Sequence, residues 1–375
     1  MTADSGVLLL VGSVARPEDG WGVEEVFRHC ASALGEYVTM LPDGEIGDRN
    51  QWITYIARHA YHENPALQTL SRHTYEEWKP KDYNDQWRFA VRDGVEEIYF
   101  EKIGYAGEAK ASYEVFRGLR DAGVIPAGIR FLVAYPGTES AVRAFFGSAR
   151  EFELVARAYN DAVAREIADL AAVIPHEDLA IQFDLARETA AVEHVEFNFA
   201  DADFERLPHD AMERYCVSVG ELAAAVPQDV WLGLHVCYGS LGHKAGESPD
   251  SAHYVPIRDL RVGVEMVNRG AKACGRSVEF VHMPIQFARG EQDEHYAALK
   301  GLDVPDARVY LGLIDSRDGV GGAMRRYEVA RRHLSSFGLA TSCGWGRRPL
   351  DESVQDLIDL ERDVARGVTE AVAEA

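Results

Sequence analysis

The segment Trp231–Lys244, WLGLHVCYGSLGHK, joins a short apolar run, typical of a buried strand, to a histidine, a cysteine and a glycine-rich loop. Side chains two residues apart on a strand lie on one face of it. His235 and Cys237 can therefore aim a nitrogen and a sulfur at one point, and zinc prefers such ligands. His282 closes the later segment SVEFVHM, and Cys343 stands in FGLATSCGWGRR. We predict a metal site formed by these four side chains.

Apolar runs of this kind recur along the chain and alternate with longer segments of helical period. The strand candidates are Val7–Val11, Tyr37–Met40, Gly128–Ala134, Leu179–Phe183, Val230–His235, Ser277–Val281, Val309–Ile314 and Gly338–Thr341. The helical stretches are Val23–Leu34, Ala111–Asp121, Glu151–Val173, Asp210–Ala225, Ile257–Arg269, Gly322–Ser335 and Asp351–Arg366. This alternation predicts an α/β fold, a single (β/α)8 TIM barrel over residues 1–375. A doubly wound sheet is the rival, but Gly-x-Gly-x-x-Gly does not follow the first strand.

Residues 51–104 interrupt the alternation after the second predicted strand and include the aromatic-rich segment HTYEEWKPKDYNDQWRF. We interpret them as an insertion that covers one mouth of the barrel. Its rings could stack on a flat substrate or pack over the barrel, and the sequence favours neither.

The composition restricts the expected partners and compartment. Asp and Glu outnumber Lys and Arg 61 to 39, for a net charge of -22, which disfavours nucleic acid and anionic membranes as partners. The early run GVLLLVG lacks a cationic flank and is too short to span a membrane. The five cysteines are scattered and odd in number, which favours a reducing cytoplasm over a disulfide framework. We expect a small-molecule partner, and the oligomeric state is not predicted.

Polar residues follow the predicted strands where each one ends. In a TIM barrel the carboxyl ends of the strands carry the active site. We therefore expect one mouth to gather Ser13, Glu45, Asp184, His235, Cys237, His282, Asp315, Cys343 and Arg347. Arginine offers a bidentate fork, so Arg347 is a candidate partner for a substrate carboxylate or phosphate.

Five of these strand ends resemble motifs of the cobalamin-independent methionine synthase family, in its carboxy-terminal catalytic barrel. That barrel belongs to the superfamily shared with uroporphyrinogen decarboxylase. The segments are GSVARP, DGEIGDR, IQFDLARE, LHVCYG and TSCGWGRR, and they stand in the family's order on successive strands. The resemblance covers nearly the whole chain and implies a methyltransferase that uses zinc.

The resemblance also implies roles for individual residues. His235, Cys237 and Cys343 match the family's zinc ligands. Glu45 and Asp184 match the residues that hold the substrate amino group, and Ser13 would lie near the substrate carboxylate. For Asp184, a structural ion pair or a cap at the strand end is the alternative.

Three departures from the family pattern limit what can be transferred. His282 stands where the family has a zinc-binding glutamate, and Arg317 stands where it has a histidine. The segment YPGTESAV lacks the tryptophan that faces folate in the family. With two thiolates and two imidazoles the zinc site would carry a net charge of about 0, against about -1 with the glutamate. A less anionic zinc polarises bound oxygen more strongly, so the substitution favours Lewis-acid chemistry.

Three functions therefore stay open. The leading one is methyl or alkyl transfer to the thiol of a small amino-acid-like substrate. The second is a zinc lyase or hydrolase that acts on a small carboxylate-bearing substrate without folate, with Asp184, Glu45 or Asp315 as the base. The third is an inactive, metal-bound barrel that only binds a ligand.

Overall fold

A parallel sheet forms the centre of the molecule. The computed structural model describes residues 6–71, 87–194, 205–239, 255–349 and 351–373. Their strands are β1 (Met40–Pro42), β2 (Leu67–Ser71), β3 (Arg88–Val91), β4 (Arg130–Pro136), β5 (Leu179–Leu185), β6 (Trp231–Val236), β7 (Phe280–Pro284), β8 (Arg308–Ile314) and β9 (Gly338–Thr341). Seven of these strands form one sheet in the order β1-β4-β5-β6-β7-β8-β9, and β2 and β3 form a separate antiparallel pair. The curled sheet is consistent with a TIM-like barrel.

The first predicted strand, Val7–Val11, is not a regular strand, although it lies between the two edges of the sheet. Leu8 forms isolated parallel bridges with Val38, just before β1, and with Leu339 in β9. The Leu8 amide donates to the carbonyl of Tyr37, and the Leu339 amide donates to the carbonyl of Val7. The segment thus contacts both edges through few ladder bonds, and a complete (β/α)8 barrel stays a prediction.

Helices follow the strands in the predicted alternation. They are α1 (Val23–Leu34), α2 (Ile53–Ile56), α3 (Tyr105–Asp121), α4 (Thr138–Val142), α5 (Ala149–Ala171), α6 (Ala186–Val192), α7 (Ala211–Ala224), α8 (Arg261–Ala273), α9 (Gly319–Ala330) and α10 (Val354–Ala373). The prediction for α1 is confirmed with the same bounds. The short helices α2, α4 and α6 were not predicted, since one or two turns are too short to show a helical period.

Local hydrogen bonds explain where several helices begin. Ser148 caps α5 and exchanges hydrogen bonds with Glu151, the reciprocal pattern of a capping box. The Asp210 carboxylate accepts from the first turn of α7. The helix predicted from Ile257 begins later, at Arg261, whose amide donates to the Asp259 carboxylate at 2.8 Å.

The described part of residues 51–104 contains α2, the π-helix Ala57–Tyr61 and the β2–β3 hairpin. Tyr61 lies at the centre of an aromatic cluster, with ring centroids 5.3 to 5.7 Å from those of Phe89, Phe100, Phe145 and Phe146. The Phe89 amide also donates to the carbonyl of Phe145. The hairpin is therefore packed against the segment that follows α4. Residues 72–86, which hold most of the aromatic segment, lie outside the described residues, and a cover over the barrel mouth stays a prediction.

Side chains on the inner face of the sheet form a core of their own, separate from the larger core beneath the helices. This inner cluster consists of Leu9, Val11, Met40, Leu132, Ala180, Phe280, Tyr310 and Ala340. Along β7, Phe280 and His282 point to the inner face, whereas Val281 and Met283 belong to the outer core. A Cβ on Gly233 of β6 would lie 2.0 Å from the Phe280 ring. Only a residue without a side chain at position 233 therefore leaves room for this ring, which lies below His282.

None of the helices in the described ranges is both long and apolar enough to cross a membrane.

Candidate metal centre

The register of the central strands brings three predicted site residues into one row. Asp184 in β5 pairs with His235 in β6, and His235 pairs with His282 in β7. Residues in one row of a parallel sheet point to the same side, so all three face the interior at the carboxyl ends of their strands. The Cys237 amide donates to the carbonyl of Leu185, which extends the ladder beyond β6 and keeps Cys237 on the side of His235.

His235, Cys237 and Cys343 form a candidate metal site. One ligand atom from each lies within 4.8 Å of the other two. His235 and Cys237 are buried, and Cys343 follows β9 across the interior. One imidazole and two thiols form a donor set that fits zinc, so these residues could hold the ion.

A hydrogen bond between the two thiols favours the thiolate form of Cys343. The hydrogen bond from Cys237 and the nearby His235 hold the pKa of Cys343 well below its usual value, although burial opposes this. The same hydrogen bond, together with burial, raises the pKa of Cys237. Zinc binds cysteine as the thiolate, so a buried cysteine with a lowered pKa is suited to be a metal ligand.

His282 lies beside this group rather than within it. Its Nδ1 is 2.6 Å from Nδ1 of His235, and the two ring centroids are 4.7 Å apart. Burial and the neighbouring His235 hold the pKa of His282 well below its usual value, partly offset by the backbone of Thr341. Glu279, the nearest acid in the sequence, lies elsewhere, because its Oε2 accepts the Leu232 amide at 2.6 Å at the start of β6.

Asp184 and Glu45 form a second polar group beside the thiols. Burial and the charge of Glu45 raise the pKa of Asp184 well above its usual value. Asp184 Oδ1 accepts from Gln182 Nε2 at 2.8 Å, and Gln182 Oε1 is buried without a partner among the described residues. Two coupled carboxyls and a spare amide oxygen are suited to an ammonium group.

Glu45 is held in an uncommon backbone conformation. Its φ of 48° is in the left-handed region, which non-glycine residues seldom adopt and which occurs at functional sites. Burial raises the pKa of Glu45 to about 7, while Arg49 opposes the rise. Arg49 itself is paired with Asp43 through two hydrogen bonds of 3.1 and 2.8 Å, so Asp43 anchors the loop.

Ser13 and Arg347 approach the same group through the loop after Cys343. A Cβ on Gly344 would lie 2.4 Å from the Ser13 hydroxyl, so this glycine allows close contact. Arg347 and Cys343 line the same cavity, and the positive charge of Arg347 opposes the rise in the pKa of Glu45 that burial causes. Its Nη2 donates to the carbonyl of Asn50 at 2.6 Å.

Asp315 lies to one side, in a cavity of about 80 Å³ that Cys343 also lines. Both of its carboxylate oxygens accept from Arg317, whose guanidinium carbon lies 3.9 Å from the centre of the Phe287 ring. Asp315 is therefore held in an ion pair with Arg317.

One residue that supports the site was not predicted from the sequence. Glu361 in α10 is fully buried and accepts from Trp345 Nε1 at 2.7 Å, two residues after Cys343. Its signal was its position on the apolar face of α10, among Leu357, Ile358, Val364 and Ala365. A charged residue in the middle of an apolar stripe indicates a buried polar contact.

Comparisons with known proteins agree with this architecture. No family model and no curated protein matches the chain by sequence. A solved structure of a vitamin-B12 independent methionine synthase-like protein from Listeria monocytogenes has a TM-score of 0.59 at 14% identity, covering 99% of this chain and 98% of that one. A B12-independent methionine synthase from Shewanella sp. W3-18-1, solved with selenomethionine, has a TM-score of 0.47 at 15% identity, covering 78% and 71%.

The structural neighbours are cobalamin-independent methionine synthase-like proteins. The Listeria protein matches over nearly its full length, so this chain shares the fold of a methionine synthase-like protein. The resemblance drawn from five short segments of sequence is thereby confirmed at the level of the fold.

Proposed function

We propose that this protein is a zinc enzyme that transfers a methyl or alkyl group to the thiol of a small amino-acid-like substrate. The observation that carries the proposal is the group of His235, Cys237 and Cys343, with ligand atoms within 4.8 Å of one another. The carboxyl of Asp184 lies beside it, because Asp184 pairs with His235 across β5 and β6, and the charge of Glu45 contributes to the raised pKa of Asp184. The proposal includes a complete (β/α)8 barrel, in which residues 7–11 add the first strand to the seven of the sheet and residues 51–104 form the insertion.

Separate groups of residues would bind the metal, the substrate ammonium and the substrate carboxylate. A zinc ion bound by the histidine and the two cysteines would ionise a substrate thiol at neutral pH. Asp184 and Glu45 would hold the substrate ammonium, which orients the acceptor sulfur and supplies no bond chemistry. Ser13 and Arg347 would bind the substrate carboxylate, since Arg347 lines the cavity that Cys343 also lines and a guanidinium can bind a carboxylate through two hydrogen bonds.

Metal analysis tests the proposal directly. Protein isolated with zinc should carry about one ion per chain, and Cys343→Ser should lower this content sharply. Cys216→Ser is the matched control, because Cys216 lies half-buried on α7 outside the metal group. Equal zinc contents in the two variants would refute the metal site.

A thiol panel separates transfer to sulfur from the oxygen-centred alternatives. In cobalt-substituted protein, homocysteine or a related thiol should change the thiolate-to-metal absorption if the thiol joins the coordination shell. A spectrum that no thiol changes would favour the lyase or hydrolase. In that case Asp184, Glu45 or Asp315 would act as the base, and Asp315 would first have to leave its ion pair with Arg317.

A further inference from the structure

The contact between the two buried histidines decides which of them can bind the ion. Their Nδ1 atoms lie 2.6 Å apart, a distance that requires one proton between the two nitrogens. Nδ1 of His235 is therefore engaged with His282, and Nε2 is the nitrogen left to join Cys237 and Cys343. The three-residue group leaves His282 out, although His282 stands in the same row of the sheet.

Metal binding fixes the direction of this hydrogen bond. An imidazole bound to a metal through Nε2 carries its proton on Nδ1. Nδ1 of His235 must then donate, and Nδ1 of His282 must accept. The lone pair of His282 Nδ1 is consumed by that bond, and the remaining ring proton of a neutral His282 stands on Nε2. Neither nitrogen of His282 can coordinate the ion while the contact persists.

We infer that His282 is the positioning residue of the zinc site and not its fourth ligand. It holds the His235 ring and selects the tautomer that presents Nε2 to the metal. The fourth coordination position then stays exchangeable, as zinc sites with three protein ligands usually are. Two thiolates and one neutral imidazole give bound zinc a net charge of about 0, so a substrate thiolate can enter without adding to a negative centre. This inference rests on the zinc site proposed above.

X-ray absorption at the zinc edge of the full-length protein tests the inference without an activity assay. We expect a shell of two sulfurs and two light atoms in which one imidazole alone contributes outer-shell scattering. A shell with two imidazoles would overturn the inference and leave the zinc site intact. Protein that binds no zinc at all would instead refute the proposed function, so the two failures are distinguishable.

Variants at position 282 add a second readout. The side-chain oxygen of His282→Gln can still accept from His235, so the absorption spectrum and the stoichiometry should stay unchanged. His282→Leu removes the acceptor and should weaken zinc binding about 10- to 100-fold in a chelator competition. His295→Gln is the control, because His295 is a buried histidine outside the site. Loss of one imidazole from the spectrum of His282→Gln would show that His282 is a ligand. If the variants fail to fold, the wild-type spectrum alone decides.

Discussion

Trp345 Nε1 donates a hydrogen bond of 2.7 Å to Oε1 of Glu361, and both side chains are fully buried. This bond ties the loop that carries Cys343 to the middle of α10. The second oxygen of Glu361 is buried without a partner among the described residues. A carboxyl in such surroundings favours its neutral form, and burial raises the pKa of Glu361 to about 8.

The folding stability should therefore fall with rising pH in a way that depends on Glu361. Its pKa rises from the ordinary glutamate value of 4.5 to about 8, so between these values the folded state keeps a proton that the unfolded state has released. Stability should decrease as the pH rises through this window and level off above it. Glu361→Gln keeps an acceptor for Trp345 and should be more stable than wild type at pH 9, by on the order of 2 to 4 kcal/mol.

Urea unfolding at pH 5 and pH 9 measures this effect. Glu370→Gln on the same helix is the matched control, because Glu370 is exposed. The prediction is refuted if the pH dependence of unfolding is the same in Glu361→Gln and in wild type.

Asp184→Asn should weaken the binding of an amino-acid substrate. The variant keeps the shape of the side chain and removes one of the two coupled carboxyls, so a bound ammonium loses a charged partner. We expect a loss of about 2 kcal/mol, which is roughly 30-fold in affinity. Calorimetric titration of zinc-loaded protein with homocysteine measures it.

The control for Asp184→Asn is a second ligand rather than a second variant. An analogue of homocysteine without the amino group should bind wild type and variant with similar affinity. Equal losses for the two ligands would mean that Asp184 does not contact the amino group.

Gly233→Ala should destabilise the protein through Phe280. The new Cβ would lie 2.0 to 2.5 Å from three atoms at the far end of the Phe280 ring, so the ring must move. Overpacking of this kind costs about 1 to 3 kcal/mol in the free energy of unfolding. Because Phe280 lies two residues before His282, zinc affinity should fall as well.

Denaturant unfolding and a zinc competition measure the two effects of Gly233→Ala. Phe280→Leu lacks the ring atoms that clash and should restore part of the stability in the double variant. Gly118→Ala in α3 is the control, since a Cβ there meets nothing within 4 Å. A double variant no better than Gly233→Ala alone would exclude the ring contact as the cause.

Glu166 should stabilise the start of α3. Its Oε1 accepts the amides of Ile103 and Gly104 at 2.8 and 2.7 Å, and its Oε2 accepts that of Ala106 at 2.9 Å. Glu166→Ala leaves three buried or half-buried donors unpaired and should lower the free energy of unfolding by about 2 to 3 kcal/mol. Glu166→Gln retains one acceptor and should lose about half as much.

Urea unfolding measures the effect of both Glu166 variants. The control is Glu153→Gln, because Glu153 is an exposed glutamate of α5, the helix that also contains Glu166. Equal stabilities of Glu166→Ala and Glu153→Gln would show that the helix start does not depend on Glu166.

Much of the fold and part of the site could be predicted from local patterns. Buried strands produce apolar runs, and long helices produce a period of 3.6 residues. For α1 this period predicted both ends of the helix correctly. His235 and Cys237 could be paired from their spacing alone, because alternation along a strand is local. Short elements and irregular ones escape such patterns, as α4, α6 and the bridging segment at Leu8 demonstrate.

The metal group depends on contacts between distant parts of the chain. Cys343 reaches His235 only because β9 and β6 belong to one curled sheet. His282 stands in the same row of the sheet as His235. The sequence does not distinguish a fourth metal ligand at this position from a residue that only hydrogen-bonds to His235. A difference of a few ångströms separates those roles, and strand register together with ring orientation sets it.

The sequence alone thus determined the alternation of strands and helices and the types of donor atom at the strand ends, because both follow from side-chain chemistry and local periodicity. The tertiary structure decided which donor atoms come together, which carboxyls are buried beside them and that His282 contacts His235. Those outcomes depend on packing across the sheet, where Gly233 admits Phe280 and where Trp345 binds Glu361. Contacts of this kind join residues far apart in the chain, and no local pattern contains them.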